Sequence, residues 1–63
     1  MQYKIRELRE KQKMSQAELS KRANVSRAII SGLESGATVT ITTETLSKIA
    51  QALGKKVSDI FFD

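Results

Sequence analysis

Near the end of the chain Leu46, Ile49, Ala50 and Leu53 fall at i, i+3, i+4 and i+7. That spacing puts four apolar side chains on one helical stripe, and it predicts a helix over about Thr43–Leu53 with the stripe buried. Shorter stretches keep the same period. Ile5 and Leu8 share a face of a segment running Tyr3–Lys13. Leu19 and Ala23 mark the inward side of a segment Gln16–Ala23, and Ile30 and Leu33 that of a segment Arg27–Ser35. One run breaks the rhythm. Ala37–Ile41 is rich in β-branched residues and reads locally as a strand, but with no second strand to pair with it is expected to be an extended loop.

Punctuation between the segments agrees with this division. Ser15 followed by Glu18 has capping-box spacing, with Met14 and Leu19 as the hydrophobic staple. Ser26 starts the next segment in the same way, with Val25 and Ile30 around it. Thr42 starts the fourth, with Ile41 and Leu46, and Glu44 favours the positive end of that helix dipole. Ser58, between Val57 and Phe62, is expected to cap a last turn or two over Ser58–Phe62. Asn24, Gly36 and Gly54 each sit where a left-handed residue ends a helix. The pattern predicts an all-α, compact five-helix domain.

Composition narrows the chemistry. Sixty-three residues lie near the lower limit for folding without staples, and the chain has no Cys and no His. No disulfide, thiolate nucleophile or imidazole base is available, and seven scattered carboxylates suggest no catalytic constellation. No cofactor and no metal site is expected, and the chain is not expected to be an enzyme. No apolar run approaches the roughly 20 residues that cross a membrane. The expectation is one domain over residues 1–63, in the cytoplasm, with no membrane partner. Charge is unevenly spread. Residues 1–31 hold eight Lys/Arg against three Glu, a balance of +5, whereas residues 32–63 balance at −1. A basic half suits phosphate, although alone it shows only attraction to some polyanion.

Two short segments joined by Asn24-Val25-Ser26 have the outline of a helix-turn-helix. Val25 is expected to pin the turn to the core and Asn24 to take the positive φ. That leaves Arg27, Ala28, Ser31 and Gly32 exposed at the start of the third helix, a rod that fits a major groove about 12 Å wide. The run QAELSKRANVSRAIISGLE, Gln16 to Glu34, resembles the helix-turn-helix of phage repressor and Cro-type regulators, the XRE family. TLSKIAQALGKKVSDIF, Thr45 to Phe61, is similar to the family's fourth and fifth helices, so the resemblance covers nearly the whole chain. It departs at Asn24, where relatives usually carry Gly, and at Ser20, where they often carry Ala. The implied fold is a repressor-type domain with the helix-turn-helix at about residues 16–35.

The resemblance assigns Gln16 as a phosphate clamp at the N-terminus of the second helix; the plainer alternative is an exposed helix former. Arg27 suits either a bidentate pair with guanine or a phosphate contact, and its sequence context does not choose between them. Ala28 offers a methyl to thymine and Ser31 a hydroxyl to a base. Ser26, at the cap, is counted with the DNA-contacting residues. Gly32 costs roughly 1 kcal/mol relative to alanine within a helix. In the family its position reads a base; here it implies close approach to DNA, or close packing on a neighbouring helix. Thr38 and Thr40 are implied phosphate donors, unless they merely fill a loop. Arg9 matches the arginine that relatives pair with the glutamate ending the third helix, here Glu34, which makes the two a structural ion pair.

The function implied is sequence-specific binding of double-stranded DNA by a transcriptional regulator, a repressor or autoregulator. One recognition helix spans few base pairs, so a homodimer on a pseudo-palindromic operator is expected. Val57, Ile60 and Phe61 are expected to close the core, leaving Phe62 for dimerisation. The alternatives are an antitoxin-type protein or a helical adaptor working through protein–protein contact, which predicts a more apolar or acidic third helix.

Overall fold

The computed structural model describes residues 2–37 and 41–62. Five helices form the body: α1 (Ile5–Lys11), α2 (Gln16–Ala23), α3 (Arg27–Ser35), α4 (Thr43–Ala52) and α5 (Val57–Ile60). Two short strands, β1 (Gln2–Tyr3) and β2 (Phe61–Phe62), close the chain on itself. The core follows from the apolar stripes. Ile5, Leu19, Ile30, Ile49 and Ile60 are the large side chains with essentially no exposure. Each helix contributes one of them, so no helix can be removed without opening the same core. α2 packs on both α3 and α4, α1 on α3, and α5 on α4. Met14, Ala23, Leu33, Ala50 and Leu53 complete the buried set; Leu8, Val25 and Leu46 are half-buried around it.

The starts of α2, α3 and α4 follow the caps. Ser15 Oγ accepts from the Glu18 N–H at 3.0 Å, Ser26 Oγ from the Ala28 N–H at 3.1 Å, and Thr42 Oγ1 from the Thr45 N–H at 3.1 Å. Each bond satisfies a donor that the first helical turn leaves without a partner. The Glu18 carboxylate does not complete a capping box; it turns along the helix to Arg22 Nη2 at 2.6 Å.

Three helices share one stop. After α2, Asn24 is left-handed (φ 55°), its N–H donates to Lys21 O and the Val25 N–H to Ser20 O. Gly54 and Lys55 repeat this after α4 on Gln51 O and Ala50 O, and Lys13 and Met14 after α1 on Glu10 O and Arg9 O. This paired-bond closure satisfies the last carbonyls of each helix. Lys13 has φ 58°, so α1 ends before it rather than reaching it.

The two ends of the chain differ from the sequence reading. Tyr3 does not open α1, and Phe62 does not close α5. Gln2 pairs with Phe62 and Tyr3 with Phe61 in an antiparallel ladder, and the Lys4 N–H donates to Ile60 O at 2.7 Å. Neither strand is the Ala37–Ile41 run, of which residues 38–40 lie outside the described residues; β1 and β2 come from opposite ends of the chain. Ser58 is not the cap of the last helix. α5 starts one residue earlier, and the Asp59 carboxylate accepts from the Lys56 N–H at 3.1 Å. Thr38, Thr40 and the side chains of Phe61 and Phe62 lie outside the described residues.

Candidate nucleic-acid interface

The turn between α2 and α3 is built by its three residues in different ways. Asn24 supplies the left-handed backbone, Val25 is half-buried against the core, and Ser26 caps α3. Leu19 and Ala23 from α2 meet Ile30 and Leu33 from α3 in the shared core. Their contact fixes the two helices as a unit and turns the opposite side of α3 outward. Arg27, Ala28 and Ser31 are exposed there, and Gly32 is half-buried beside them. Ile29 is half-buried and packs on the core edge.

The polar groups of α3 divide sharply by what they are bonded to. The Ser26 hydroxyl is occupied by the cap. Ser35 Oγ donates to Gly32 O at 3.2 Å and accepts from the Ala37 N–H at 3.3 Å, so it serves the helix end. Among the described residues, Arg27 and Ser31 have no side-chain partner. They retain their full hydrogen-bonding capacity for an outside ligand.

Glu34 is the opposite case. Its side chain has no exposed surface, and its carboxylate collects donors from two other helices. Arg9 bonds it twice, Nε to Oε2 at 2.8 Å and Nη2 to Oε1 at 3.0 Å. This is the two-pronged geometry a guanidinium offers a carboxylate. Arg9 Nη1 donates to Met14 O at 2.6 Å, so the same side chain also holds the turn into α2. Gln16 Nε2 donates to Oε1 at 3.1 Å, and Arg6 Nε approaches the same oxygen at 3.4 Å. Burial alone raises the pKa of the Glu34 carboxyl; the hydrogen bonds from Arg9, Gln16 and Arg6 and the charge of Arg9 outweigh it and hold the group below the usual carboxylate range. The hydrogen bond to Glu34 raises the already high pKa of Arg9, against the opposing effect of burial. Both partners are therefore ionised at neutral pH.

The network thus joins Arg9 and Glu34, the pair implied by the sequence resemblance, to Gln16, which the sequence reading treated separately. Arg6 and Gln12 were missed. Arg6 precedes Arg9 by three residues and Gln12 follows by three, so both share its helical neighbourhood. Gln12 Nε2 donates to Leu53 O at 2.7 Å, tying the end of α1 to the end of α4. No group of three or more acidic, His or Cys residues able to hold a metal occurs among the described residues. No helix among them is long and apolar enough to cross a membrane.

Comparison with curated protein sequences finds no match. A family model described as helix-turn-helix matches residues 5–60, from the first residue of α1 to the last of α5. The match covers the ion-pair network, the turn and the outward face of α3 together. This chain belongs to the helix-turn-helix family of Cro/XRE type, a family of DNA-binding regulators.

Proposed function

We propose that the domain is a sequence-specific regulator of transcription, a repressor or autoregulator in the cytoplasm, that binds operator DNA as a homodimer. The observation that carries this reading is the state of α3: Arg27 at its start and Ser31 midway along it are exposed and have no side-chain partner among the described residues, while Glu34 is held near its end. In this reading α3 enters the major groove, Arg27 and Ser31 meet base edges or the flanking phosphates, and Ala28 and Gly32 allow close approach. Gln16 uses one amide N–H on Glu34 and offers the other to a phosphate. Ser26 contributes from the helix start, where backbone N–H groups favour an anion. Phosphate contacts from Thr38 and Thr40 rest on the sequence alone.

Selection of bound duplexes from a random pool, followed by titration of the enriched site, tests this directly. The expected result is an enriched pseudo-palindrome, with affinity falling steeply between about 50 and 200 mM salt. No binding to any duplex at low salt overturns it. Dimerisation is proposed through Phe62, whose backbone pairs with Gln2 rather than continuing a helix. Phe62→Lys should sediment as a folded monomer with weakened operator binding, and a mutant that stays dimeric moves the interface elsewhere.

A further inference from the structure

We infer that Arg6 is a DNA-backbone contact, held beside Gln16 by the shared Glu34 oxygen. This rests on the proposed DNA-binding reading and adds a residue to it. Glu34 carries one negative charge and is already doubly bonded by Arg9. Arg6 is a second guanidinium on the same carboxylate, so the network carries a surplus positive charge. That surplus sits on the exposed member: the Arg6 side chain is 60% exposed, against 11% for Arg9. Its bond to Oε1 is also the longest of the four at that carboxylate, 3.4 Å. A pair of this length whose cation stands mostly in solvent contributes little to stability. Glu10, one turn along α1, forms no ion pair with it among the described residues.

Geometry gives the surplus charge a place. Arg6 Nε and Gln16 Nε2 donate to one oxygen, so they lie within the combined length of two hydrogen bonds of each other. The bond to Glu34 uses only Nε, which leaves the four terminal N–H donors of a mostly exposed guanidinium without a bond among the described residues. A phosphodiester meeting the second amide N–H of Gln16 is therefore within reach of Arg6. Glu34 acts as the spacer that sets the two donors side by side, and it lies on α3. Arg6 is thus placed beside the helix that carries Arg27.

Fluorescence anisotropy on an end-labelled selected duplex and on a scrambled one, across about 50–200 mM salt, tests the assignment with wild type, Arg6→Gln and Arg6→Lys. Arg6→Gln should weaken both duplexes alike and reduce the slope of log affinity against log salt by about 0.9. Its deficit should accordingly narrow about three- to four-fold over that salt range. Arg6→Lys should keep the wild-type slope, and all three proteins should melt at the same temperature. Wild-type binding with an unchanged Arg6→Gln slope overturns the role of Arg6 alone, as does a lowered melting temperature with an unchanged slope. Failure of wild type to bind either duplex overturns the DNA-binding reading itself.

Discussion

At one end of α3, Glu34 has no exposed side-chain surface and takes hydrogen bonds from Arg9, Gln16 and Arg6. At the other end Arg27, and midway Ser31, stand in solvent with no side-chain partner among the described residues. Nine residues of one helix therefore hold both a buried, multiply bonded carboxylate and exposed polar groups with no side-chain partner among the described residues. The contrast has a physical use. A reading surface must keep its donors free for the ligand, yet each element that is loose before binding must be ordered on binding at an entropic cost. Fixing the helix at its far end orders the backbone in advance and leaves the near end unspent.

The largest expected effect comes from breaking the fixed end. Arg9→Met leaves the buried Glu34 carboxylate without its main partner and Met14 O without a donor. Removing one partner of a buried pair costs about 3–5 kcal/mol. A domain of this size has a total stability of only about 3–9 kcal/mol. Thermal unfolding should show a large drop in Tm, or no folded state at all; an unchanged Tm refutes the anchoring role. Acid approaches the same loss from the other side. The folded Glu34 carboxyl titrates below its unfolded value of about 4.3, so its stabilisation is present above that pH and disappears as pH falls through the folded value. Melting followed from pH 6 down to about pH 2 should show this decline in wild type and a shallower one in Glu34→Gln. Parallel curves for the two proteins count against it.

The free end should respond in the opposite sense. Arg27→Ala removes no side-chain bond among the described residues, so stability should move by no more than about 0.5 kcal/mol. Operator affinity should fall by about 1–3 kcal/mol if Arg27 pairs with a guanine, with relaxed preference at one base pair. Competition titrations against single-base operator variants separate this from a phosphate contact, which weakens every sequence equally.

How much of this contrast was legible beforehand depends on the range of the interactions involved. The caps at Ser15, Ser26 and Thr42 act within three residues, and the helix starts could be read from them. Asn24 and Gly54 announce a left-handed stop by residue type. Lys13 does not, because its side chain gives no sign of the backbone it adopts, and α1 was read two residues too long at that end. From sequence Ser58 reads as the last cap and Asp59 goes unnoticed, yet it is the Asp59 carboxylate that accepts from the Lys56 N–H. The β1–β2 ladder joins opposite ends of the chain, so no local pattern reports it. The pairing of Arg9 with Glu34 spans 25 residues and came from family resemblance rather than from periodicity. Arg6 and Gln16 became part of the same network only once α1, α2 and α3 were in place.

The smallest effects sharpen the contrast within the free end itself, where two serines five residues apart do different work. Ser26 is bonded to the Ala28 N–H, so Ser26→Ala should cost about 1 kcal/mol of stability by losing the cap. Ser31 makes no such bond, and alanine is the better helix former by a few tenths of a kcal/mol. Ser31→Ala should leave Tm unchanged or slightly raised. If its hydroxyl meets a base edge, the loss appears only on DNA, at about 0.5–1.5 kcal/mol, the net value of one neutral hydrogen bond. It should appear on the selected operator and not on a scrambled duplex. A Tm that falls in Ser31→Ala means that the hydroxyl has an internal partner, and equal losses on both duplexes place it at the phosphate backbone. The first result moves Ser31 into the held part of α3, and the second moves it from base reading to phosphate binding; either one leaves Arg27 as the base-reading candidate of the two.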